Sequence, residues 1–431
     1  MILNAQTAAG FSANFDLFCA GESHLFYLDG CGIDAANGVN KYRKIVGIGC
    51  ARSWQIDNNS KKSWADRIKE LTSGKWQFVV ASYELKNNIL GCKSKNPSTH
   101  NWPNLLVVEP ELICIFHLDD TIELIGDEVD LWLNNVLSFV PWDQSTLLSF
   151  QGTQCSIIRE DYERTIQNIR TQIELGNMYE INFCFETKYL QFECSNPMKL
   201  FKALQSASPA PFSSYVCIEN KHLISSSPER FMSRTGNALC SQPIKGTAAR
   251  SHNQVKDFAN KKALQSSIKE RAEHIMIVDL VRNDLSQVAE PGSVTVSDLF
   301  GIYGYEHVYQ MVSTIQASAL PSLNWMDIFD KTFPMGSMTG APKRIVLDFI
   351  DDFENTARGW YSGAVGYVEP NGDFDFSVII RSLLYDRETN CASFAVGGAI
   401  TYDSNSTDEF NESLLKGQSI QDLMQSLRTD L

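Results

Sequence analysis

The sequence predicts a large protein of mixed helices and strands, and three observations carry that expectation. Short β-like runs recur along the chain, helical stretches interleave with them after about residue 200, and no repeat or low-complexity tract interrupts the pattern. A hydrophobic content of 43% with 20% charged residues describes a folded, soluble chain rather than a disordered one. At 431 residues the chain is too long for one ordinary core and suggests two or three domains.

Several function classes are disfavoured at once. The longest apolar runs, such as Ile275-Met276-Ile277-Val278, fall far short of the roughly 20 residues of a membrane span. The start shows no basic region ahead of an apolar core, so no secretory signal is expected. Eleven cysteines, an odd number without a C-x-x-C pair, read as reduced core thiols of a cytoplasmic protein. A net charge of −14 argues against nucleic acid or an anionic membrane as partner. It also means that an anionic substrate needs local cations to enter.

Residues 1–145 read as an N-terminal scaffold or regulatory part. Lys75–Tyr83, Leu105–Val108 and Glu111–Phe116 are expected strands, and Ser63–Leu71 an expected helix. A stretch rich in Ser, Gln and Thr from 141 to 157 marks a boundary. Beyond it, residues 150–431 read as one large mixed domain. It opens with a helix over Arg159–Leu175, apolar at Tyr162, Ile166, Ile169 and Ile173 and ended by Gly176. A strand over Met178–Phe185 follows.

Five segments could carry chemistry. In Ser267–Leu280, apolar 268, 272, 275, 276 and 280 suggest one helical face, with Glu270 and Glu273 neighbours on another. Such a pair suits a hard cation such as Mg²⁺, and equally describes a solvated charged face. Glu409 and Glu412 repeat the spacing, with Lys416 four residues on; Ser406 to Glu409 also fits a capping box, and Glu412 to Lys416 a surface ion pair. The small-residue loop Met335–Lys343 leads into a helix and offers backbone N–H groups to an anion, or is simply a tight turn. Arg381 ends a buried-looking strand, as a carboxylate clamp or a strand-end cation. Gly397-Gly398 follows another strand, allowing close approach of a ligand or a bulge.

In order along the chain stand Ser227-Pro228-Glu229-Arg230-Phe231, Pro243-Ile244-Lys245-Gly246-Thr247 and Glu270-Arg271-Ala272-Glu273-His274 running on to Val281-Arg282-Asn283-Asp284. The loop Gly336–Lys343, Tyr361–Tyr367 and the C-terminal glutamates complete the set. From about Ile157 onward this series resembles the chorismate-utilising enzymes, which include anthranilate, aminodeoxychorismate, isochorismate and salicylate synthases. The resemblance implies an α+β fold of two large antiparallel β-sheets packed face to face, with helices outside. It also implies a Mg²⁺ cofactor held directly by Glu273 and Glu412, with Glu270 and Glu409 behind bound waters. Chorismate is the implied partner. Its ring carboxylate would meet the metal and Lys416, and its enolpyruvyl carboxylate Arg381 and Tyr361. Backbone at Thr339, Gly340 and Gly398, with Thr247, would complete the substrate site.

Lys245 resembles the residue that sets the aminodeoxychorismate enzymes apart, the matching position in anthranilate enzymes usually being alanine. The implied reaction is covalent, with the Lys245 amine as nucleophile and Glu229 as the acid. A free amine at neutral pH then requires Mg²⁺ and cationic neighbours together with desolvation. Ammonia is expected from a separate glutamine amidotransferase subunit, since no amidotransferase signature is present in the chain. Anthranilate formation, or a non-catalytic chorismate-binding role, are the alternatives. Three positions depart from the usual pattern. Gln310 replaces a common histidine, Glu180 a glutamine or water-activating lysine, and Ala399 the last glycine of a Gly-rich turn.

Overall fold

In a computed structural model, residues 1–33, 40–57, 71, 74–140, 148–306 and 308–428 are described. The expected helix over Ser63–Leu71 lies, but for its last residue, outside them. Two antiparallel sheets of 11 and 10 strands organise the chain. The first runs Gly340–Ala341, Glu180–Leu190, Cys391–Ile400, Ser382–Asp386, Lys221–Ser227, Phe212–Ile218, His24–Asp29, Lys44–Ile48, Leu112–Phe116 and Ile122–Gly126, with Gly152–Cys155 also paired to Glu180–Leu190. The second runs Ile244–Ala249, Val308–Ser318, Ala238–Gln242, Arg230–Thr235, Phe374–Val378, Ala364–Val368, Gln77–Ala81, Leu105–Glu109 and Arg52–Ile56, with Thr295–Gly304 beside Val308–Ser318.

Period-2 alternation sorts side chains between the two faces of each sheet. In His24–Asp29, Leu25 and Tyr27 face a core with the outer helices, while Phe26 turns inward. Phe26 there meets Phe78 of the second sheet, ring centroids 5.4 Å apart, in an inter-sheet core with Ile45, Val80, Ile113 and Val365. On the far side of the second sheet, Val79, Val107 and Phe376 pack with helices Ile268–Ser286 and Trp325–Thr332. Sheets face to face with helices outside is therefore the fold.

Strands from before and after residue 145 pair in both sheets: His24–Asp29 with Phe212–Ile218, and Gln77–Ala81 with Ala364–Val368. The change in sequence character near that residue does not separate the sheets. The helix Arg159–Glu174 forms as expected, burying Tyr162, Ile166 and Ile169, with Gly176 at φ +76° after it.

Three local expectations are corrected. On Ile268–Ser286 the buried face is Glu273, His274, Ile277, Val278, Val281, Asp284 and Leu285, whereas Ile268 and Ile275 are exposed. Counting hydrophobes misled here because three polar residues of the helix, Glu273, His274 and Asp284, are buried. The C-terminal helix Ser406–Leu427 is capped by Asn405, not by a Ser406 box; Asn405 accepts from the backbone N–H groups of Thr407 and Asp408. All eleven cysteines are free thiols, but five are fully buried and Cys155 is exposed. No helix among the described residues is long and apolar enough to cross a membrane.

Candidate active site

Two of the places where the chain passes from one sheet to the other lie side by side, and these position the site. Pro228-Glu229 links Lys221–Ser227 to Arg230–Thr235, and Ile379–Arg381 links Phe374–Val378 to Ser382–Asp386. The crossings run side by side, the Val378 N–H donating to the Glu229 carbonyl at 3.0 Å and the Ser226 N–H to the Arg381 carbonyl at 3.1 Å. Over them opens a cavity of about 130 Å³, closed by the acidic helices Ile268–Ser286 and Ser406–Leu427 and by the strand holding Lys245.

Eleven of the thirteen residues singled out from sequence line this one cavity: Glu229, Lys245, Thr247, Glu270, Glu273, Tyr361, Arg381, Gly398, Glu409, Glu412 and Lys416. The other two do not. Thr339 is fully buried, its hydroxyl donating to the Met335 and Gly336 carbonyls. Gly340 lies against the neighbouring strand at φ +146°, where a Cβ would sit 2.2 Å from the Glu180 carbonyl oxygen. Its glycine serves strand approach; Ser337 and Met338 of that loop face the cavity instead. At Gly398 a Cβ would point toward Lys416 Nζ, 3.4 Å away, and toward Glu409 and Ser413.

The cations have distinct settings. Arg381 sits at φ +52°, a strained conformation for a branched-free but bulky residue, and burial pushes its pKa below the usual range. Its Nη1 donates to the Lys416 carbonyl at 3.1 Å. Lys416 Nζ donates to the Gly397 carbonyl at 2.9 Å and pairs with Glu412 at 2.9 Å, so the expected ion pair stands at the cavity wall. Lys245 contacts Glu180 at 3.0 Å, the carboxylate being 1% exposed. Desolvation depresses the Lys245 pKa, but Glu180, Glu273 and Glu229 more than offset it, leaving it above the ordinary value. The expectation of cationic neighbours that favour the free amine is thus reversed among the protein's own groups.

Glu229 is 5% exposed, and burial pushes its carboxyl up to about 7 against the pull of Ser337 and Lys245. Its neighbour Arg230 does not neutralise it, since Arg230 forks onto Asp375 at 2.9 and 2.8 Å. Gln310 and Ala399 also line the cavity, with Gln310 Oε1 buried and unpartnered.

Two contributors escaped the sequence reading. Lys269 Nζ lies 3.3 Å from Glu409 and 3.8 Å from Glu273, neutralising part of the acidic cluster. Its spacing of four residues before Glu273 was the available signal. The contact of Glu180 with Lys245 spans 65 positions and has no local signature.

Among the described residues no three His, Cys, Asp or Glu side chains form a ready-made metal cage. Magnesium does not need one, since it keeps several waters and binds through one or two carboxylates plus substrate. Glu273 Oε1, buried and without a hydrogen-bond partner, supplies a free hard donor in the right place. The carboxylate set fits that ion.

Comparison with known proteins agrees with this geometry. The family model described as chorismate binding enzyme matches residues 28–422. Over 262 residues the chain is 39% identical to the chloroplastic aminodeoxychorismate synthase of Arabidopsis thaliana, a match covering 60% of this chain and 28% of that one. Over 272 residues it is 33% identical to aminodeoxychorismate synthase component 1 of Bacillus subtilis, covering 63% and 57%. The matched stretches thus span less than two thirds of those relatives. Anthranilate synthase component I from Streptococcus pneumoniae superposes with a TM-score of 0.76 at 23% identity, covering 87% of this chain and 91% of that one. The menaquinone-specific isochorismate synthase of Escherichia coli does so at 0.75 and 15% identity, covering 95% and 91%. Fold, cavity and family match agree: the chain belongs to the chorismate-binding enzymes.

Proposed function

We propose that the chain acts as an aminodeoxychorismate synthase, turning chorismate and ammonia into 4-amino-4-deoxychorismate for p-aminobenzoate and folate synthesis. One observation carries this reading: Lys245 enters the wall of the cavity that also holds Glu229, Arg381 and Lys416. A cavity with a lysine nucleophile beside a carboxyl of pKa about 7 suits displacement of a hydroxyl near neutrality.

Arg381 and Tyr361 hold the enolpyruvyl carboxylate, and Lys416 reaches the ring carboxylate. Glu273 and Glu412, with Glu270 and Glu409, are the groups that would hold Mg²⁺, and its charge would offset the acidic site for the ring carboxylate. The free Lys245 amine attacks C2, the ring double bonds shift, and the C4–O bond breaks as Glu229 gives its proton to the departing hydroxyl, which leaves as water. Ammonia then adds at C4 and the C2–N bond breaks, returning the amine. Gln310 cannot carry a proton near neutrality, so this site lacks that route to pyruvate elimination. The ammonia is supplied by a glutamine amidotransferase subunit, a reading supported by relatives named component 1.

The test is product identity. With chorismate, Mg²⁺ and excess ammonium, p-aminobenzoate should appear only after a lyase is added, with neither pyruvate nor anthranilate before it. Pyruvate released without the lyase overturns the proposal.

A further inference from the structure

Resting on the reading above, one step lacks an agent. Lys245 must surrender a proton before it can attack, yet its carboxylate neighbours favour the ammonium form. A base within hydrogen-bond reach of Nζ is therefore required.

Glu180 is the carboxylate in that position. Its Oε1 lies 3.0 Å from Lys245 Nζ, and the pair joins strand Glu180–Leu190 of one sheet to strand Ile244–Ala249 of the other. The remaining oxygen, Oε2, is buried without a hydrogen-bond partner. A structural carboxylate at 1% exposure ordinarily has both oxygens satisfied, because an unmet buried acceptor is costly. Glu180 stands behind Lys245 rather than in the cavity wall, so it contacts the amine and leaves the substrate face clear.

We propose that Glu180 is the general base that takes the proton of the Lys245 ammonium, delivering a free amine to the substrate. The proton moves from Nζ to Glu180, and a Lys–carboxylate ion pair becomes a neutral amine–acid pair. Nζ then bonds to C2 as the C4–O bond breaks. The adduct nitrogen keeps its two protons as a secondary ammonium. Ammonia adding at C4 expels it as the neutral amine, the new C4 ammonium returns a proton to Glu229, and Glu180 returns its proton to Lys245. Glu229, approaching from the neighbouring crossing, keeps its separate role as the acid. Glu270, Glu273 and a His274 ring that burial keeps neutral on the acidic helix, with Glu412 on the C-terminal helix, are the other titratable groups around Lys245.

The test follows formation of the covalent adduct on Lys245 by rapid-quench mass spectrometry, with chorismate and Mg²⁺ but without ammonia. Glu180→Gln keeps the shape and a hydrogen bond to the amine while removing the base. Adduct formation should slow about 10²-fold or more, with chorismate affinity unchanged. Its rate should also rise about tenfold per pH unit up to about pH 7 and level off above it, as solvent takes over deprotonation of a lysine whose ordinary pKa is near 10.4 while Glu229 loses its own proton above pH 7. The wild type should lack that dependence, and Glu180→Asp should restore part of the rate and remove the slope. Equal rates and equal pH profiles in wild type and Glu180→Gln would overturn the role of Glu180 while leaving the covalent reading intact. Absence of any Lys245 adduct in the wild type would overturn both.

Discussion

Arg358 and Arg381 have very different company. Arg358, 3% exposed in its side chain, donates to both Glu354 oxygens and to the backbone carbonyls of Met338 and Asn182. Glu354 in turn accepts from the Cys184 N–H at 2.9 Å. Arg381 donates to one backbone carbonyl and is held at positive φ, and burial lowers its pKa where Arg358's is raised. The difference separates a strut from a binding group. A buried charge with its hydrogen bonds filled holds walls together, and one left short of partners is kept ready for a ligand.

The contrast breaks most sharply in stability. Arg358→Met should destabilise the fold by about 3–5 kcal/mol, since Glu354 is left buried and unpaired, and the denaturation midpoint reads this directly. Arg381→Met should leave that midpoint within experimental scatter. It should instead weaken chorismate binding by about 2 kcal/mol, or ~30-fold, through loss of charge-assisted hydrogen bonds, measured by calorimetry. Equal stability losses in the two variants would dissolve the distinction.

Glu229 gives a subtler test. Its acid form is the active one, and the folded carboxyl is raised to about 7. Activity on this group is therefore full below about pH 7 and falls about tenfold per unit above it. The kcat/KM profile should show this alkaline limb, and Glu229→Gln should flatten it at a much lower rate. The smallest effect is expected at Thr339, whose hydroxyl bonds only to its own turn. Thr339→Val should leave chorismate affinity unchanged and cost about 1 kcal/mol of stability, read from the denaturation midpoint.

Much of the site was legible because its residues sit in short, ordered motifs: acidic pairs three apart, a lysine ahead of a glycine, an arginine between strands. The sandwich fold followed from the resemblance and from strand alternation. What stayed hidden depends on distance in sequence or on direction in space. The spacing of Glu270 and Glu273 predicted neighbours, but not that Glu273 and His274 turn inward while Ile268 and Ile275 face solvent. Gly340 looked like a ligand-approach glycine, and only the register of Glu180 opposite Ala341 reveals the strand contact that demands it. The 65-residue reach from Glu180 to Lys245 is set by the pairing of two sheets.

The central claim is that Lys245 chooses the reaction while other groups bind the substrate. Lys245→Ala tests it most directly, with chorismate affinity by calorimetry beside C4 amination by the coupled lyase assay. The account predicts unchanged affinity with amination abolished. Full amination by the alanine variant would contradict it.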